Sequence, residues 1–152
     1  MNETIFTIAF LFSLIWTICA FSYLFYKRKK KGSIFPKIED NEILYSNKTS
    51  SGNSHKSAFT KLGGANNCLK IIITKDEIWT TTYFPFSLLI DTLDLEHRIK
   101  KSEIQNIEKC NKGFTDSYLT NFKTEENENK TIQLYPKENK QFESAIGYKK
   151  SD

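Results

Sequence analysis

An uncharged apolar stretch near the N-terminus limits the architecture of this chain more than any other feature. Thr4 to Tyr26 is 23 residues without a charged side chain, and Lys27-Arg28-Lys29-Lys30-Lys31 follows at once. As a helix, such a stretch is long enough to cross a bilayer. Tyrosine and basic side chains are typical of the boundary between a span and the surrounding water. The sequence therefore predicts a transmembrane anchor over residues 1–31, with its end marked by Tyr23, Tyr26, Lys27 and Arg28.

A cleaved secretory signal is the alternative interpretation of this stretch. The three residues before it carry no positive charge, the apolar part is longer than a usual signal, and no small-x-small cleavage site precedes the basic run. We therefore expect an uncleaved single-pass helix. Because positive residues stay on the cytoplasmic side, the N-terminus is expected outside and the remaining chain inside the cell. The basic run either sets this topology alone or also contacts anionic headgroups.

The net charge of +4 comes from the basic run. From Gly32 onward there are 22 − 5 = 17 basic residues and 18 − 1 = 17 acidic ones, since Glu3 is the only acid before that point. Nucleic-acid-binding domains normally carry a basic face. A formally neutral domain of about 120 residues, which lies within the usual size of one domain, therefore argues against a nucleic-acid partner.

A β-hairpin is the clearest pattern in this domain. Cys68 to Thr74 is apolar and β-branched, Lys75-Asp76 can turn, and Glu77 to Tyr83 alternates. Pro85 is expected to end the second strand. Gly63-Gly64 precedes the hairpin and suits either a turn with positive φ or an anion-binding backbone nest. Phe84-Pro85-Phe86 is expected either to cover Ile72 and Trp79 or to leave them as an apolar patch.

The other predicted elements follow from the same periodicities. Residues 32–41 form a linker, and the domain is expected to span residues 42–148. Its alternating segments predict strands, and the polar and helical segments fall between them. The predicted strands are Glu42–Ser46, Ala58–Thr60, Leu93–Ile99, Ile104–Cys110, Phe114–Phe122 and Thr131–Tyr135; the connections are a loop over Asn47–Ser57, a helical turn at Leu88–Ile90, a turn at Lys100–Glu103 and an acidic tip at Glu125–Asn129.

Two patterns within these segments carry further expectations. In Leu93–Ile99, His97 should face the core, whereas Asp94 and Glu96 should face solvent. After Pro136, the apolar positions recur at helical spacing and end before Gly147. The sequence therefore predicts one amphipathic helix over Lys137–Ile146 with a C-terminal glycine cap.

A meandering sheet with one closing helix resembles the pleckstrin-homology-like (PH-like) fold, including its GRAM-type variants. The resemblance extends over about Tyr45–Ile146 and rests on Leu62-Gly63-Gly64-Ala65, Asn67, Leu69, Ile71, Ile73-Thr74, Trp79, Phe84-Pro85-Phe86 and Asp94-Leu95-Glu96-His97-Arg98-Ile99. It is a resemblance to small membrane-anchored proteins with such a domain, and it implies a barrel or sandwich of seven to eight antiparallel strands.

The resemblance implies a fold rather than one activity, because PH-like domains include lipid binders and peptide binders. Phosphoinositide-binding members carry several Lys and Arg residues between their first two strands. Here the equivalent segment offers no arginine. Its candidate ligand or partner surface consists of Lys48, His55, Lys56 and Lys61.

No motif for catalysis, a cofactor or a metal is present in the sequence. Cys68 and Cys110 are expected to be small buried side chains, and His97 is expected to be satisfied by a hydrogen bond in the core. We therefore expect a non-enzymatic module that binds a protein or a lipid headgroup at the cytoplasmic membrane face, without a cofactor or an identified small-molecule substrate. The alternatives are a small hydrolase that uses His97 with Cys68 or an acidic neighbour, and a structural subunit of a membrane complex.

Overall fold

The computed structural model describes residues 3–32, 34–112 and 115–148. The chain divides into two compact units, Met1–Ser33 and Ile34–Asp152. The first unit contains one helix, α1 (Glu3–Lys31), of 29 residues. At 1.5 Å per residue this helix is about 44 Å long. Helix α1 is long and apolar enough to span a membrane, as the sequence predicts.

The second unit is built on one antiparallel sheet of seven strands in the order β4-β3-β2-β1-β7-β6-β5. The strands are β1 (Ile43–Ser54), β2 (Ala65–Thr74), β3 (Glu77–Thr82), β4 (His97–Lys100), β5 (Ile104–Lys112), β6 (Thr115–Lys123) and β7 (Asn129–Tyr135). The predicted strand number and antiparallel arrangement are confirmed, but the sheet is open, with β4 and β5 at its edges. Strand β4 has only four residues, which leaves a short edge that does not join β5.

Three short helices complete this unit. They are α2 (Ala58–Leu62), α3 (Ile90–Leu93) and α4 (Asn139–Ile146). Single 3₁₀ turns lie at Asp40–Glu42, Phe86–Leu88 and Lys101–Glu103. The predicted helical turn near Leu88 and the turn before β5 are therefore confirmed.

The predicted hairpin forms strands β2 and β3, which pair from Leu69–Thr82 to Ile73–Ile78. Strand β3 ends at Thr82, before Pro85. Trp79, on the face opposite Ile78, is buried by Phe35, whose ring centroid lies 5.3 Å away. The cover on this face therefore includes Phe35, a residue that precedes the first strand, whereas Phe84 and Phe86 stay exposed.

The predicted loop over Asn47–Ser57 is wrong, because β1 continues to Ser54. The first part of β1 pairs with β2, and its last four residues, 51–54, pair with β7. At Gly52 an added Cβ would lie 2.7 Å from Leu69 Cδ2. The absence of a side chain at Gly52 thus lets this polar strand lie directly against the core. Because β1 pairs with both β2 and β7, it joins the two parts of the sheet.

The predicted strand at Ala58–Thr60 is also wrong, since these residues lie in α2. Ser57 caps this helix: its Oγ accepts from the Thr60 amide at 3.2 Å, and the Thr60 hydroxyl accepts from the Ser57 amide at 3.0 Å. Reciprocal capping of this kind satisfies backbone donors that a helix start leaves unpaired. The local cap therefore outweighs the weak alternation of the three residues.

Gly63 and Gly64 do not serve a turn with positive φ, which is a second correction to this region. A Cβ on Gly64 would meet the Gly52 carbonyl oxygen and Asn53. The glycine is therefore needed because the backbone before β2 lies against β1. This close approach forms one wall of the site described below.

One further strand prediction, Leu93–Ile99, changed at its N-terminal end. Leu93 belongs to α3, Asp94 is left-handed with φ of 50°, and β4 begins only at His97. Strands β5, β6 and β7 are confirmed, although Phe114 lies outside the described residues. The acidic tip is confirmed as a turn in which the Thr124 amide donates to the Glu128 carbonyl at 2.9 Å.

The C-terminal helix closes the core. Phe142 is fully buried and contacts Tyr118 and Tyr45, with ring centroids 4.8 and 5.6 Å away. Gly147 adopts φ of 69°, and the Tyr148 amide donates to the Glu143 carbonyl at 2.9 Å. The predicted helix and its glycine cap are confirmed, and the helix begins two residues later than predicted.

Candidate functional site

A groove on the sheet unit has a volume of about 940 Å³. It lies over the second half of β1, between α2 and the start of β2 on one side and the start of β6 and the end of β7 on the other. The start of α4 closes it. Its lining is mainly amide and hydroxyl side chains: Thr49, Ser51, Asn53, Asn66, Asn67, Thr115 and Asn139. We call it the amide groove.

Two asparagines on opposite sides of the amide groove have fixed orientations. The Asn53 Nδ2 donates to the Lys61 carbonyl at 2.7 Å. The Asn139 Nδ2 donates to Asp116 Oδ2 at 3.1 Å. Because each NH₂ group donates to an acceptor, the orientation of each amide is fixed and its oxygen points away from that acceptor.

The oxygens of these two amides lack hydrogen-bond donors. Asn53 Oδ1 and Asn139 Oδ1 are both buried, and neither accepts a hydrogen bond from any residue that the structure describes. A buried acceptor without a donor costs about 1–3 kcal/mol. Both side chains line the groove, so a change of rotamer would turn each buried oxygen toward a ligand that brings N–H or O–H groups.

The wall formed by the start of β2 is held by hydrogen bonds to β1. The Asn67 amide donates to Ser51 Oγ at 2.9 Å, and that hydroxyl donates to Asn66 Oδ1 at 3.2 Å. Asn67 has φ of 54°, a left-handed conformation that asparagine tolerates better than most residues. The polar residues of β1 therefore order the wall of a groove, whereas the sequence pattern suggested a loop.

The charges around the amide groove nearly balance. Lys61 and Lys137 line it together with Asp116. Asp116 Oδ2 forms an ion pair with Lys109 Nζ, at a distance of 2.8 Å. The groove therefore lacks the cluster of cations that a polyphosphate requires.

The structure distributes the four predicted basic residues over different places. Lys61 lines the amide groove, whereas His55 and Lys56 line a separate hollow of about 280 Å³ next to Glu128. Lys48 is exposed on β1 and lines neither of these two sites. The His55 Nε2 lies 3.4 Å from Gln133 Oε1.

A second polar group is buried at the start of β4, and we call it the Asp94 cluster. Asp94 accepts hydrogen bonds from Lys130 Nζ at 2.8 Å and from Ser54 Oγ at 2.9 Å. His97 Nε2 lies 2.8 Å from the Asp94 carbonyl, and its ring contacts Phe122. The expected hydrogen bond of His97 in the core is confirmed, but the expected exposure of Asp94 and Glu96 is wrong.

The protonation of the Asp94 cluster follows from burial and pairing. Burial opposes ionisation of Asp94, but the Lys130 hydrogen bond, the charge of His97 and the Ser54 hydrogen bond outweigh it and hold the Asp94 pKa below its usual value. For His97, burial dominates over the attraction of Asp94, so its pKa lies below 6.5. The cluster therefore contains an ionised Asp94 and a neutral His97 at neutral pH.

A third polar group ties α4 to the sheet and supports one side of the groove. Lys109 Nζ lies 2.8 Å from both Asp116 and Glu143, and the Tyr118 hydroxyl donates to Glu143 at 2.7 Å. Hydrogen bonds to the two carboxylates raise the pKa of Lys109. The hydrogen bond from Lys109 is the main cause that lowers the pKa of Glu143. Because Asp116 also accepts from Asn139, this network positions a groove residue.

Cys68 and His97 lie at different positions along the sheet. His97 pairs with Thr80, which pairs with Ile71, three residues from Cys68. Three residues of a strand span about 10 Å. Burial raises the pKa of the Cys68 thiol, which opposes formation of a thiolate. Among the described residues, no three His, Cys, Asp or Glu side chains form a group that could hold a metal ion.

Sequence reasoning missed Asn53 and Asn139, the two residues that characterise the groove. Both occur in polar segments, and a single asparagine there carries no periodic signal. Their roles depend on Lys61 and Asp116, which come from other elements. The one usable signal was the glycine pair before β2, since it marks a place where backbones approach closely.

Comparison with protein-family models, with curated proteins and with solved structures finds no match for this chain.

Proposed function

We propose that this chain is a single-pass membrane protein whose PH-like domain binds an extended protein segment in the amide groove, without catalysis. The observation that carries the proposal is a groove of about 940 Å³ lined by Asn53 and Asn139. Their buried Oδ1 atoms have no donor among the described residues and would meet a ligand when the amide side chains turn toward the groove. An extended peptide presents backbone N–H and C=O groups along its whole length. Amide side chains can pair with both kinds of group.

The charge of the groove favours a protein segment over a phosphorylated headgroup. Lys61, Lys137 and Asp116 line the groove, and Asp116 forms an ion pair with Lys109. Phosphate binding favours clustered cations or several backbone amides directed at one point. The near-neutral lining instead suits the backbone of a peptide.

The membrane part of the proposal rests on α1 and the charges after it. The helix has the length and composition of a span, and five basic residues close it. Positive residues next to a span remain in the cytoplasm. The domain is thus proposed to lie on the cytoplasmic side with the N-terminus outside.

The PH-like part of the proposal is supported by topology. Strands β1–β4 form one meander and β5–β7 another, and the β1–β7 pairing joins them. One helix, α4, follows the last strand and buries Phe142 in the core. A sheet of this size with one closing C-terminal helix is the arrangement on which the resemblance rests.

The groove is tested with the full chain in nanodiscs and a displayed library of random peptides. Peptides should be enriched over empty nanodiscs, and Asn53→Ala and Asn139→Ala should each lose about five- to tenfold in affinity, since each hydrogen bond contributes about 1–1.5 kcal/mol. Asn106→Ala, on the edge strand β5, is the matched control and should retain binding. No enrichment, or equal loss in the control, would contradict the proposal.

A second probe distinguishes a lipid headgroup from a protein segment. Soluble inositol trisphosphate should not compete with the enriched peptides, because the groove lacks clustered cations. Competition that depends on Lys61 and Lys137 would instead favour headgroup binding and overturn the peptide proposal.

The predicted orientation is tested through Cys110, which is partly exposed in the sheet unit. A membrane-impermeant maleimide should label Cys110 only after the cells are opened. Labelling of intact cells would place the domain outside.

A further inference from the structure

The end of the sheet where β2 begins and β3 finishes carries a group of exposed large apolar side chains. They lie in two segments, the α2 segment and the segment after β3. The residues are Phe59, Leu62, Tyr83, Phe84, Phe86 and Leu89, with exposures from 45% for Tyr83 to 89% for Leu62. We call this set the apolar end.

The topology brings the two segments to the same end of the sheet. Strands β2 and β3 are antiparallel, and Leu69, the fifth residue of β2, pairs with Thr82 at the end of β3. The chain that enters β2 and the chain that leaves β3 therefore lie toward the same end of the sheet. A Cβ on Gly63 would lie 3.9 Å from Leu93 Cδ2, which places the end of α2 against α3.

Exposure of this kind needs a physical reason. Single exposed apolar residues are ordinary, but several large ones together mark a surface that contacts another apolar phase or partner. Here four of the six residues are aromatic. Aromatic side chains on protruding segments are typical of contact with the bilayer interface.

The charge around the apolar end is compatible with lipid headgroups. Residues 55–64 contain Lys56 and Lys61 and no acidic residue, and residues 83–90 are uncharged. The acidic β6–β7 turn lies at the same end of β1, where Glu128 lines a hollow with His55 and Lys56. The two apolar segments themselves thus carry no acidic residue that anionic headgroups would repel.

We infer that the apolar end inserts into the interfacial region of the bilayer and holds the sheet unit against the membrane. A bilayer is chosen as the partner because the sheet unit follows α1 after a very short connection. Helix α1 ends at Lys31, the sheet unit begins at Ile34, and only Gly32 and Ser33 lie between them. With α1 in a membrane, as proposed above, the sheet unit works beside a lipid surface, and burial of apolar side chains in it is favourable.

This contact would also determine where the amide groove works. Lys61 and Leu62 belong to α2 and line the groove, and Leu62 is also part of the apolar end. A bilayer contact through α2 therefore places the groove close to the headgroups. The proteins it reaches first would be segments that run along the membrane surface.

The inference is tested with the full chain reconstituted into phosphatidylcholine vesicles, with and without phosphatidylglycerol. A Cys19→Ser, Cys110→Ser background leaves Cys68, which is buried at 6% exposure. An environment-sensitive fluorophore is attached in turn at Leu62→Cys and Phe84→Cys. The matched control is Leu44→Cys, a leucine 55% exposed at the opposite end of β1, next to the Ile43–Thr74 pair.

Labels at Leu62 and Phe84 should shift to the blue and be quenched several-fold more by a nitroxide-labelled lipid than the label at Leu44. Iodide in the buffer should quench them less than the control. Equal quenching at the three positions would overturn the inference. A blue shift without lipid quenching would also overturn it, since it would indicate that a second copy of the chain covers the apolar end.

Vesicle flotation separates this inference from the membrane anchor. A chain that floats but shows no lipid quenching at the apolar end refutes the contact and leaves the anchor intact. A chain that does not float refutes both. Peptide binding to the amide groove is measured independently and need not fail with either.

Discussion

The Asp94 cluster and the amide groove are both polar regions bordered by β1, and they differ in how their hydrogen bonds are completed. In the Asp94 cluster, Ser54, Lys130 and His97 each pair with Asp94 within 3 Å. In the groove, two buried amide oxygens are left without donors among the described residues. A cluster whose groups pair with one another stabilises the fold, whereas unpaired acceptors on groove-lining side chains gain a partner if those side chains turn toward a ligand.

This difference predicts that substitutions in the two regions will have opposite consequences. Changes in the Asp94 cluster should lower the free energy of unfolding. Changes at the groove acceptors should reduce peptide binding with little effect on folding. Unfolding is best followed through Trp79 in a Trp16→Phe background, since the chain has two tryptophans and Trp79 is buried.

The largest effect is expected for Lys130→Met. It leaves the Asp94 carboxylate, whose side chain is 11% exposed, without its cation. Removal of one partner from a buried ion pair costs about 3 kcal/mol. Urea unfolding of the full chain in nanodiscs measures this change. Lys123→Met, at an exposed position of β6, is the control and should change stability by less than about 0.5 kcal/mol. Similar losses in both variants would show that the Asp94 cluster has no special role.

The next effect is expected for Gly64→Ala, which changes the wall of the groove. The added Cβ meets the Gly52 carbonyl oxygen and Asn53, so the backbone must move apart. Overpacking of this kind costs about 2 kcal/mol. Peptide affinity should also fall, because Asn53 would shift. A variant as stable as the wild type would contradict the close approach of β2 to β1.

The pH dependence of stability tests the Asp94 cluster without any substitution of its residues. Burial holds the pKa of His97 below 6.5, so as pH falls from about 7 to about 5 the unfolded chain takes up a proton before the folded chain. Stability should therefore decrease over this range. The lowered pKa of Asp94 adds a further loss below about pH 4.

A His97→Leu variant provides the control for this prediction. Its stability should be nearly independent of pH between about 7 and 5, whatever its absolute value. A decrease as steep as that of the wild type would assign the effect to another group.

The smallest effect on folding is expected for Asn139→Ala. The change removes the hydrogen bond to Asp116 but also removes a buried acceptor without a donor. These contributions oppose each other, and alanine is favourable in the first turn of α4. The free energy of unfolding should change by less than about 1 kcal/mol while peptide affinity falls about five- to tenfold. A loss as large as that of Lys130→Met would make Asn139 a structural residue.

The sequence pattern was sufficient to predict the elements that are stabilised by interactions between residues close together in the chain. Helix α1, the β2–β3 hairpin and the glycine cap of α4 all depend on residues close to one another in the chain. Burial of alternate residues in a hairpin produces the same alternation in the sequence. These elements could therefore be predicted without knowledge of the tertiary structure.

The errors occurred where distant residues decide the conformation. Asn47–Ser54 has the composition of a loop, but pairing with β2 and β7 makes it a strand. Asp94 was expected in solvent, yet it is buried because Lys130, 36 residues later, supplies its counter-charge. The groove combines both cases, since its two acceptors are oriented by Lys61 and Asp116 from other elements. No local pattern encodes such pairings.

The central claim is that the amide groove, and not the Asp94 cluster, is the site of binding. The most direct measurement follows the side-chain amide NMR signals of asparagine in the labelled chain in nanodiscs during titration with an enriched peptide. The signals of Asn53, Asn66 and Asn139 should shift together, while the backbone amides of Asp94 and His97 stay unchanged. Shifts concentrated at Asp94 and His97, with the groove asparagines unaffected, would contradict the account.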